Sequence, residues 1–543
     1  MNKRFTIILV VFLILFSGPT HAQIAKQRPN VIFIITDDQS NDTFGFLEHK
    51  ALTPRIDRMA KEGIYFSRAY VASSVCTPSR YTCMTGQYVS RCQSSRFKSG
   101  FTDEGVPTIA WNMSLVRGQK LVSSVLQDAG YRTGFVGKWH VAGGITDHSK
   151  RVPPGSDPSD PEIAGVLREN HEGYCRNIRE RFGYDYADAV YLGNPDDDRS
   201  LVNTGCNVHN MEWLTLAALR FIESSRGEPF FLYFSPTLLH WPPPEASLTE
   251  DPRKCGAGLL EKPITGVLPS RESVLQRVKQ AGIPARNAAA TWLDDGICAI
   301  LDKLDELGIA ENTLVIYFND NGMETHAKGT CYEGGITIPV IAQWKGHLKS
   351  ATNDLLISNI DFVPTFLDVC GAKKPADMVV DGVSLLPLLK GKKPVHWRQS
   401  IYSEIGYTRS VTTKDWKYIA FKVPPSKMKT REERLEIYRP YYEKTKKSRP
   451  DMTARYPFNP EAPFYQIGLQ AGGTWWEWMQ LDPEAAWHDN YFDPDQLYHL
   501  AKDPLESTNL AENPEYADKL REMKDLLAKH LENLPGTFAE MLK

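Results

Sequence analysis

The sequence predicts an α/β protein with a large N-terminal domain, in which helices flank a mostly parallel central sheet, and a smaller C-terminal α+β domain with an antiparallel sheet. Two observations predict the larger domain. Near-continuous apolar runs indicate strands that are covered on both faces, because a strand with one wet face would alternate apolar and polar residues. Segments with apolar residues at helical spacing lie between these runs, and such alternation is typical of a largely parallel sheet.

The apolar runs predict buried strands at residues 31–35, 230–236 and 313–322. Helical spacing covers residues 121–129 and 288–307, and a glycine follows each of these two segments. Glycine is a common residue just past a helix C-terminus, so the two segments are predicted helices.

The character of the sequence changes near residues 390–394, "KGKKP". Beyond it, "SIYSEI", "RSVTTKDWKYIAF" and "DQLYHL" predict antiparallel strands, and helical spacing predicts a helix at about residues 514–534. We therefore predict two domains, residues 23–396 and 397–543. The segment 145–194 is polar and contains prolines, so we expect it to form surface loops.

The first 22 residues predict a cleavable signal peptide. Lys3 and Arg4 precede an apolar run at residues 5–16, and "THA" at residues 20–22 resembles a cleavage site. The run is shorter than the ~20 apolar residues that span a bilayer, so we expect no stable membrane anchor. The mature chain would begin near Gln23 and be periplasmic or secreted.

Charge and cysteine content exclude some classes of protein. The net charge is −3 and the pI is about 6.5, so no overall positive field would attract nucleic acid. The nine cysteines include no CxxC pair and no zinc-binding pattern, and they are too few for a disulfide-built scaffold of this length. An exported protein could still contain disulfides, and the spacing assigns no pairs.

Polar residues follow the ends of the predicted strands. Asp37 and Asp38 end the first run, His240 follows the second, and Asp320 and Asn321 end the third. Ligands bind outside the carboxyl ends of the strands in such sheets, so these side chains are expected to converge. Carboxylate and amide oxygens suit calcium or magnesium better than zinc. Each pair taken alone is equally compatible with a helix cap or a turn.

Three further residues could bind an anion or exchange protons. A strand predicted at residues 133–136 would bring Lys138 and His140 of "GKWH" to the same edge of the sheet, on one face if the chain stays extended. Lys328 follows the Asp320 pair closely. A lysine provides a positive charge, and a histidine exchanges protons near neutral pH. A surface lysine and a hydrogen-bonded core histidine are the alternative interpretation.

The stretch "SSVCTPSRYTCMTGQY" places Cys76 at the start of a predicted helix that ends at Gly86. Pro78 suits the first turn, and Arg80 would share a helix face with Cys76. The helix N-terminus favours negative charge, so we expect a lowered thiol pKa and a nucleophile for an anionic substrate. The alternative is a half-cystine that pairs with Cys83 or Cys92.

These residues resemble the formylglycine-dependent (type I) sulfatases of the alkaline-phosphatase-like superfamily. Residues 76–80, "CTPSR", resemble the C-x-P-S-R signature of that family, and "YTCMTGQY" resembles its continuation. The segments "IPVIAQWKG", "DFVPTFLDVCG" and "DGVSLLPLL" are similar to the framework that follows. "DQLYHLAKDPLESTNLA" is similar to the end of the C-terminal domain, so the resemblance covers nearly the whole mature chain.

The resemblance implies a catalytic domain at residues 23–396 in which a separate maturation enzyme oxidises Cys76 to formylglycine. It further implies hydrolysis of a sulfate ester, and we expect a sulfated carbohydrate as substrate. The implied ligands of one divalent cation, most simply calcium, are Asp37, Asp38, Cys76, Asp320 and Asn321. The implied sulfate-site residues are Lys138, Lys328, Arg80, His140 and His240, with His240 as general acid and His140 as base. His148 is one candidate for a further polar residue of the site.

Two other functions remain open at this stage. The same scaffold could hydrolyse a phosphomonoester or a phosphonate ester, or it could bind sulfated glycans without converting Cys76. A cluster of tryptophans either stacks on sugar rings or packs in the core of the second domain. Its members are Trp475, Trp476, Trp478 and Trp487.

Overall fold

The computed structural model describes residues 28–324, 327–428, 430–448, 450–455 and 490–543. The predicted signal peptide and the tryptophan cluster that begins at Trp475 lie outside the described residues.

A mixed sheet of nine strands, counted over the described ranges, organises the N-terminal part of the chain. The strand order is β10-β2-β9-β8-β1-β5-β3-β4, and β11 also pairs with β2. Within this sheet, only β9 among the described strands runs antiparallel to its neighbours, so the predicted mostly parallel sheet is confirmed. Its strands are β1 (Asn30–Thr36), β2 (Ile64–Tyr70), β3 (Arg132–Lys138), β4 (Tyr186–Tyr191), β5 (Phe230–Ser235), β8 (Thr313–Asn319), β9 (Thr337–Gln343), β10 (Ala351–Asn353) and β11 (Ile357–Ser358). A separate two-stranded hairpin comprises β6 (Lys254–Cys255) and β7 (Gly258–Leu259).

The central strand β1 shows why its sequence is continuously apolar. Phe33 and its neighbours two residues away pack into one core cluster, whereas Ile32 and Ile34 pack into a second cluster on the opposite face. Successive side chains of a strand point to opposite faces, so a strand buried on both faces needs an unbroken apolar run.

Helices cover both faces of this sheet. One face carries α3 (Cys76–Thr85), α5 (Val122–Asp128), α6 (Pro161–Phe182) and α13 (Phe362–Cys370). The other carries α2 (Pro54–Glu62), α8 (Met211–Ser224), α10 (Arg271–Gln280) and α11 (Ala288–Glu306). Shorter helices are α1 (Gly45–Glu48), α4 (Ser95–Lys98), α7 (Arg199–Thr204), α9 (Pro244–Ser247), α12 (Glu333–Ile336) and α14 (Leu386–Leu389).

The C-terminal part forms the predicted antiparallel sheet, which confirms that element of the fold class. Its strands, in sheet order, are β12 (Ile401–Ile405), β13 (Thr408–Thr412), β14 (Trp416–Phe421) and β15 (Asp495–His499). Its helices are α15 (Arg431–Ser448), α16 (Pro450–Arg455) and α17 (Ala517–Leu531), and α17 packs on β13 and β14. The boundary between residues 396 and 397 stays a prediction.

The C-terminal sheet holds the chain just before Cys76. The backbone N–H of Glu404 donates to the Ala72 carbonyl at 2.8 Å, and the Ser403 hydroxyl donates to the Val71 carbonyl at 2.8 Å. The loop that leads into α3 is therefore fixed by both sheets.

The expectation of surface loops across residues 145–194 is wrong. The segment contains the 22-residue helix α6 and the edge strand β4. The apolar stripe of α6 is thin, because charged side chains separate buried residues such as Leu167, Tyr174 and Ile178. Helical periodicity is weak when so few residues face the core.

Candidate active site

Four neighbouring strands bring the predicted site residues to one edge of the sheet. β8, β1, β5 and β3 are adjacent and parallel, so their carboxyl ends lie side by side. Asp37 and Asp38 follow β1, Asp320 and Asn321 follow β8, and His240 lies beyond β5. Lys138 is the last residue of β3, and α3 begins with Cys76 and places Arg80 one turn later.

Main-chain hydrogen bonds fix the loops that carry the acids. The N–H of Asp37 donates to the Leu238 carbonyl at 2.9 Å, and the N–H of Asp320 donates to the Thr36 carbonyl at 3.1 Å. Asp38 has a φ of 50°, in the left-handed region that a non-glycine residue adopts only when its surroundings hold it there. The three acids therefore have fixed backbone positions.

The Cys76 sulfur is enclosed by the predicted cation ligands. It lies 3.4 Å from Asp37 Oδ1, 3.7 Å from Asn321 Oδ1 and 3.8 Å from Lys328 Nζ, and Cys76 is 1% exposed. Burial raises the pKa of the Cys76 thiol well above its usual value, and the charges of Asp320 and Asp37 raise it further. The expectation that the helix N-terminus lowers this pKa is therefore wrong, because burial, together with two nearby carboxylates, outweighs the helix dipole.

Arg80 joins two of the acids. Its Nε donates to Asp320 Oδ2 at 3.0 Å, and its Nη2 lies 2.8 Å from Asp320 Oδ2 and 3.7 Å from Asp37 Oδ2. Its Nη1 donates to the Ser235 hydroxyl at the end of β5. Burial and the charge of Asp37 raise the pKa of Asp320 to about 6, although Arg80 opposes this shift. Asp320 Oδ1 is buried and has no hydrogen-bond partner among the described residues.

Two lysines neutralise the other acids. Lys138 pairs with Asp37, and Lys328 donates to both carboxylate oxygens of Asp38 at 2.5 Å. Burial alone would raise the pKa of Asp37, but the charges of Lys138, His240 and Arg80 hold it well below its usual value. Burial also opposes a low pKa at Asp38, but the charges of Lys328 and His240 together lower the pKa of this carboxyl.

The two histidines have different surroundings. His240 Nε2 lies 3.3 Å from Asp38 Oδ2, and Nδ1 lies 3.0 Å from the Trp241 carbonyl oxygen, so the ring has an acceptor beside each nitrogen. Burial, with the charges of Lys138 and Arg80, lowers the pKa of His140 well below its usual value. His140 Nδ1 is buried without a hydrogen-bond partner in the part of the chain that is described. His140 therefore has the features of a base, whereas an N–H on either nitrogen of His240 would face an acceptor.

The donor set fits a hard divalent cation. One ligand atom each from Asp37, Asp38, Cys76 and His240 lie within 4.8 Å of one another, and Asn321 Nδ2 donates to Asp38 Oδ1 at 2.9 Å. The unpartnered Asp320 Oδ1 could accept a cation without losing a hydrogen bond. Of the five predicted ligands, all but Cys76 offer oxygen donors, and an oxygen-rich set distinguishes calcium and magnesium from zinc.

The prediction did not include Asn194, which contacts two site residues. Its Oδ1 accepts from Lys138 Nζ at 2.6 Å, and its Nδ2 lies 3.3 Å from His240 Nε2. His148, the candidate for a further polar residue, is exposed and does not line the cavity. Asn194 follows β4 in the stretch "YADAVYLGN". A prediction of β4 as a strand would therefore have indicated Asn194 as a polar residue at a strand end.

A cavity of about 550 Å³ opens onto these residues. Cys76, His140, His240 and Lys328 line it, together with Asn194. The volume lies within the range of small-molecule sites, and the mixed walls are typical of a substrate pocket.

The ion pairs of Arg80 are expected to stabilise the folded protein. Replacing it with methionine leaves the buried Asp320 carboxylate without its cation, so we expect a loss of about 3–5 kcal/mol in the free energy of unfolding. Urea denaturation followed by circular dichroism measures this loss. The control is Arg117→Met, since Arg117 is exposed and should change stability by less than about 0.5 kcal/mol. Equal stabilities for the two variants would contradict the assigned ion pairs.

A mostly parallel sheet with a cationic cluster of two lysines and an arginine at its carboxyl edge defines an α/β enzyme that acts on an anionic substrate. The sulfatase family model matches residues 29–372, and the model of the N-sulphoglucosamine sulphohydrolase C-terminal region matches residues 324–432. The chain belongs to the sulfatase family and is a sulfuric ester hydrolase.

Curated sulfatases are similar to this chain in sequence, and solved structures share its fold. Human arylsulfatase A is 27% identical over 416 residues, which cover 70% of this chain and 72% of the relative. An N-acetylgalactosamine-6-O-sulfatase of Bacteroides thetaiotaomicron is 25% identical over 471 residues, 73% of this chain and 83% of the relative. A structure solved with its substrate D-glucosamine-2-N,6-O-disulfate shares the fold at a TM-score of 0.56 and 20% identity, covering 93% of this chain and 98% of that one.

All nine cysteines lie in the described residues and are free thiols, so the half-cystine interpretation of Cys76 receives no support. Within the same residues, no helix has both the length and the apolar character that a membrane span needs.

Proposed function

We propose that this protein is an exported sulfatase that hydrolyses a sulfate ester on a sulfated carbohydrate, using one divalent cation and a formylglycine made from Cys76. The observation that carries the proposal is the position of Cys76, whose sulfur lies within 3.8 Å of Asp37, Asn321 and Lys328. A thiol with a raised pKa is a poor nucleophile, because the thiolate is the reactive form. Oxidation of Cys76 to an aldehyde, which becomes hydrated, would provide a nucleophile at this position without requiring a thiolate.

The charge balance of the site supports a bound cation. Three carboxylates, from Asp37, Asp38 and Asp320, face three cationic side chains, from Arg80, Lys138 and Lys328. A divalent cation held by Asp37, Asp38, Asp320 and Asn321 would leave the site with two positive charges. Those charges would balance a singly charged sulfate ester and one ionised hydroxyl, and this is the chemistry that the cation supplies when it is bound.

The side chains around the cation have separate roles in binding. Lys138 and Lys328 bind the sulfate oxygens, since each ammonium group is already fixed by a carboxylate. Arg80 orients residue 76 through its contacts with Asp320 and Asp37. Asn194 aligns Lys138 with His240.

Two proton transfers complete the reaction. A hydrated aldehyde at position 76 supplies two hydroxyl groups, one that attacks sulfur and one whose deprotonation expels sulfate by cleavage of a carbon–oxygen bond. His240 donates a proton to the departing carbohydrate oxygen as the ester S–O bond breaks. His140 accepts the proton of the second hydroxyl. It can do so because its lowered pKa keeps the imidazole neutral.

The general-acid role of His240 predicts an effect that depends on the leaving group. His240→Asn should lower kcat on a sugar sulfate by about 10²-fold, because an alkoxide leaves poorly without a proton. Hydrolysis of an aryl sulfate with an acidic phenol should fall much less. Steady-state sulfate release measures both rates, and His148→Asn is the exposed histidine control. An equal loss on both substrates would contradict the role.

The substrate class is supported by the relatives, which include enzymes named for N-acetylgalactosamine sulfates. Export is supported by the sequence pattern of the first 22 residues and by an extracellular sulfatase homolog among the relatives. Mass spectrometry of the secreted protein tests the cleavage site near Gln23.

The main competing function is hydrolysis of a phosphate ester on the same scaffold. Purified enzyme is assayed for release of the same phenol from an aryl sulfate and from the matching aryl phosphate. We expect the sulfate to be hydrolysed with the larger kcat/KM. A larger kcat/KM for the phosphate would overturn the proposal, and the absence of turnover on either ester or on any sulfated sugar would favour a glycan-binding protein.

A further inference from the structure

Arg96 lines the same cavity as Cys76 and His240 but contacts none of the groups that form the sulfate site. It lies on the short helix α4, whose cap Ser94 accepts from the N–H of Phe97 at 3.2 Å. Phe97 is fully buried and packs edge to face on Phe101, with the ring centroids 5.6 Å apart. The helix is therefore anchored by its apolar side, and Arg96 is exposed.

The guanidinium group of Arg96 has no hydrogen-bond acceptor or ion-pair partner within the described ranges. The nearby Arg91 pairs with Asp381 at 2.9 Å, and the other arginine of the site, Arg80, pairs with Asp320. An arginine on the wall of a cavity that lacks an internal partner is available to a ligand. Its planar fork of N–H donors matches sulfate and carboxylate oxygens.

No acid of the cavity wall, as far as it is described, neutralises Arg96. Asp197 is the acidic residue of that wall, and it accepts a hydrogen bond from the Asn194 N–H at 2.6 Å and lies 3.9 Å from His140 Nε2. The sulfate ester that reacts is already provided with Lys138 and Lys328. Arg96 therefore adds a positive charge to the cavity beyond those that bind the reacting sulfate ester.

We propose that Arg96 binds a second anionic group, a sulfate or a carboxylate, on the same carbohydrate that carries the reacting sulfate ester. The proposal rests on the proposed function and narrows its substrate class to carbohydrates with at least two negative charges. Trp111 and Met113 line the cavity with Arg96 and would contact the apolar face of the sugar.

The test compares three substrates: N-acetylgalactosamine 6-sulfate, with one charge; D-glucosamine-2-N,6-O-disulfate, with two sulfates; and a sulfated disaccharide with a uronic acid. Arg96→Gln should lower kcat/KM by roughly 10- to 100-fold on a doubly charged substrate, mainly through KM, because a charged hydrogen bond is lost. Hydrolysis of the singly charged sugar should change by less than about twofold. The doubly charged substrate whose kcat/KM falls more in Arg96→Gln identifies the second group as sulfate or as carboxylate.

Matched variants separate charge recognition from structure. Arg117→Gln removes the same charge from an exposed position outside the cavity and should leave all three kcat/KM values unchanged. Arg96→Lys should restore part of the lost kcat/KM. The proposal is overturned if Arg96→Gln affects all three substrates equally or affects none. A wild-type enzyme that releases sulfate from no sugar would instead refute the proposed function, before any variant is compared.

Discussion

Replacing Cys76 with alanine should abolish multiple-turnover release of sulfate, with a loss on the order of 10⁶-fold, the size seen when a hydrolase loses its nucleophile. Cys76→Ser should be equally inactive in a host that oxidises only cysteine. A serine hydroxyl could attack sulfur, but it could not expel sulfate by cleaving a carbon–oxygen bond. Sulfate release over many turnovers, measured on an aryl sulfate, gives the result.

A second measurement separates loss of chemistry from loss of fold. Mass spectrometry of the peptide that contains Cys76, combined with trapping by a hydrazide reagent, should find an aldehyde in the wild type and none in either variant. The control is Cys298→Ser, a partly exposed thiol outside the site that should keep full activity. Full activity of wild-type protein in which residue 76 is an unmodified thiol would refute the assignment.

Removing the divalent cation should lower kcat by more than about 10³-fold. Loss of a single preorganised donor to an oxyanion costs an enzyme about 10²–10³-fold, and a divalent charge contributes more. The wild type is dialysed against EDTA, its calcium and magnesium contents are measured by mass spectrometry, and activity is recorded as each ion is added back. Recovery with calcium or magnesium is expected from the oxygen-rich donor set, and the ion that restores activity at the lower concentration identifies the preferred cation.

Cation binding also has a readout that does not require catalysis. A ligand at 100 times its Kd stabilises the native state by about 2.7 kcal/mol, so the thermal midpoint should rise as calcium is added. Asp37→Asn should remove this rise, because Asp37 contributes to the ligand cluster. Asp518→Asn, at a side chain that is 95% exposed, should retain it. Undiminished turnover by protein shown to be free of metal would contradict the cation site.

The parts of the fold that depend on strong local patterns were predictable. Strands β1, β5 and β8 are buried on both faces, so their apolar runs had no other simple interpretation. The polar residues after them were predictable as a site, because adjacent parallel strands end at a common edge. The helix from Cys76 to Thr85 and its left-handed end at Gly86 followed from one proline and one glycine.

Features that depend on packing between distant segments were not predictable. The pairing of Lys138 with Asp37 joins residues 101 positions apart, and no local pattern encodes it. The predicted direction of the Cys76 pKa shift was wrong for the same reason. The helix dipole is a local effect, whereas the burial of the thiol and the opposing carboxylates depend on other strands. Asn194 was missed because the edge strand before it lacks a continuous apolar run.

The burial of Cys76 limits when its proposed oxidation to formylglycine could occur. At 1% exposure, at the base of a loop held by both sheets, the side chain cannot enter the catalytic pocket of another protein. The proposed maturation enzyme would therefore have to meet this stretch as an extended peptide, in the interval between synthesis and folding. A change that speeds folding of the chain would shorten that interval. More of the stable protein would then keep an unmodified Cys76 and lack activity.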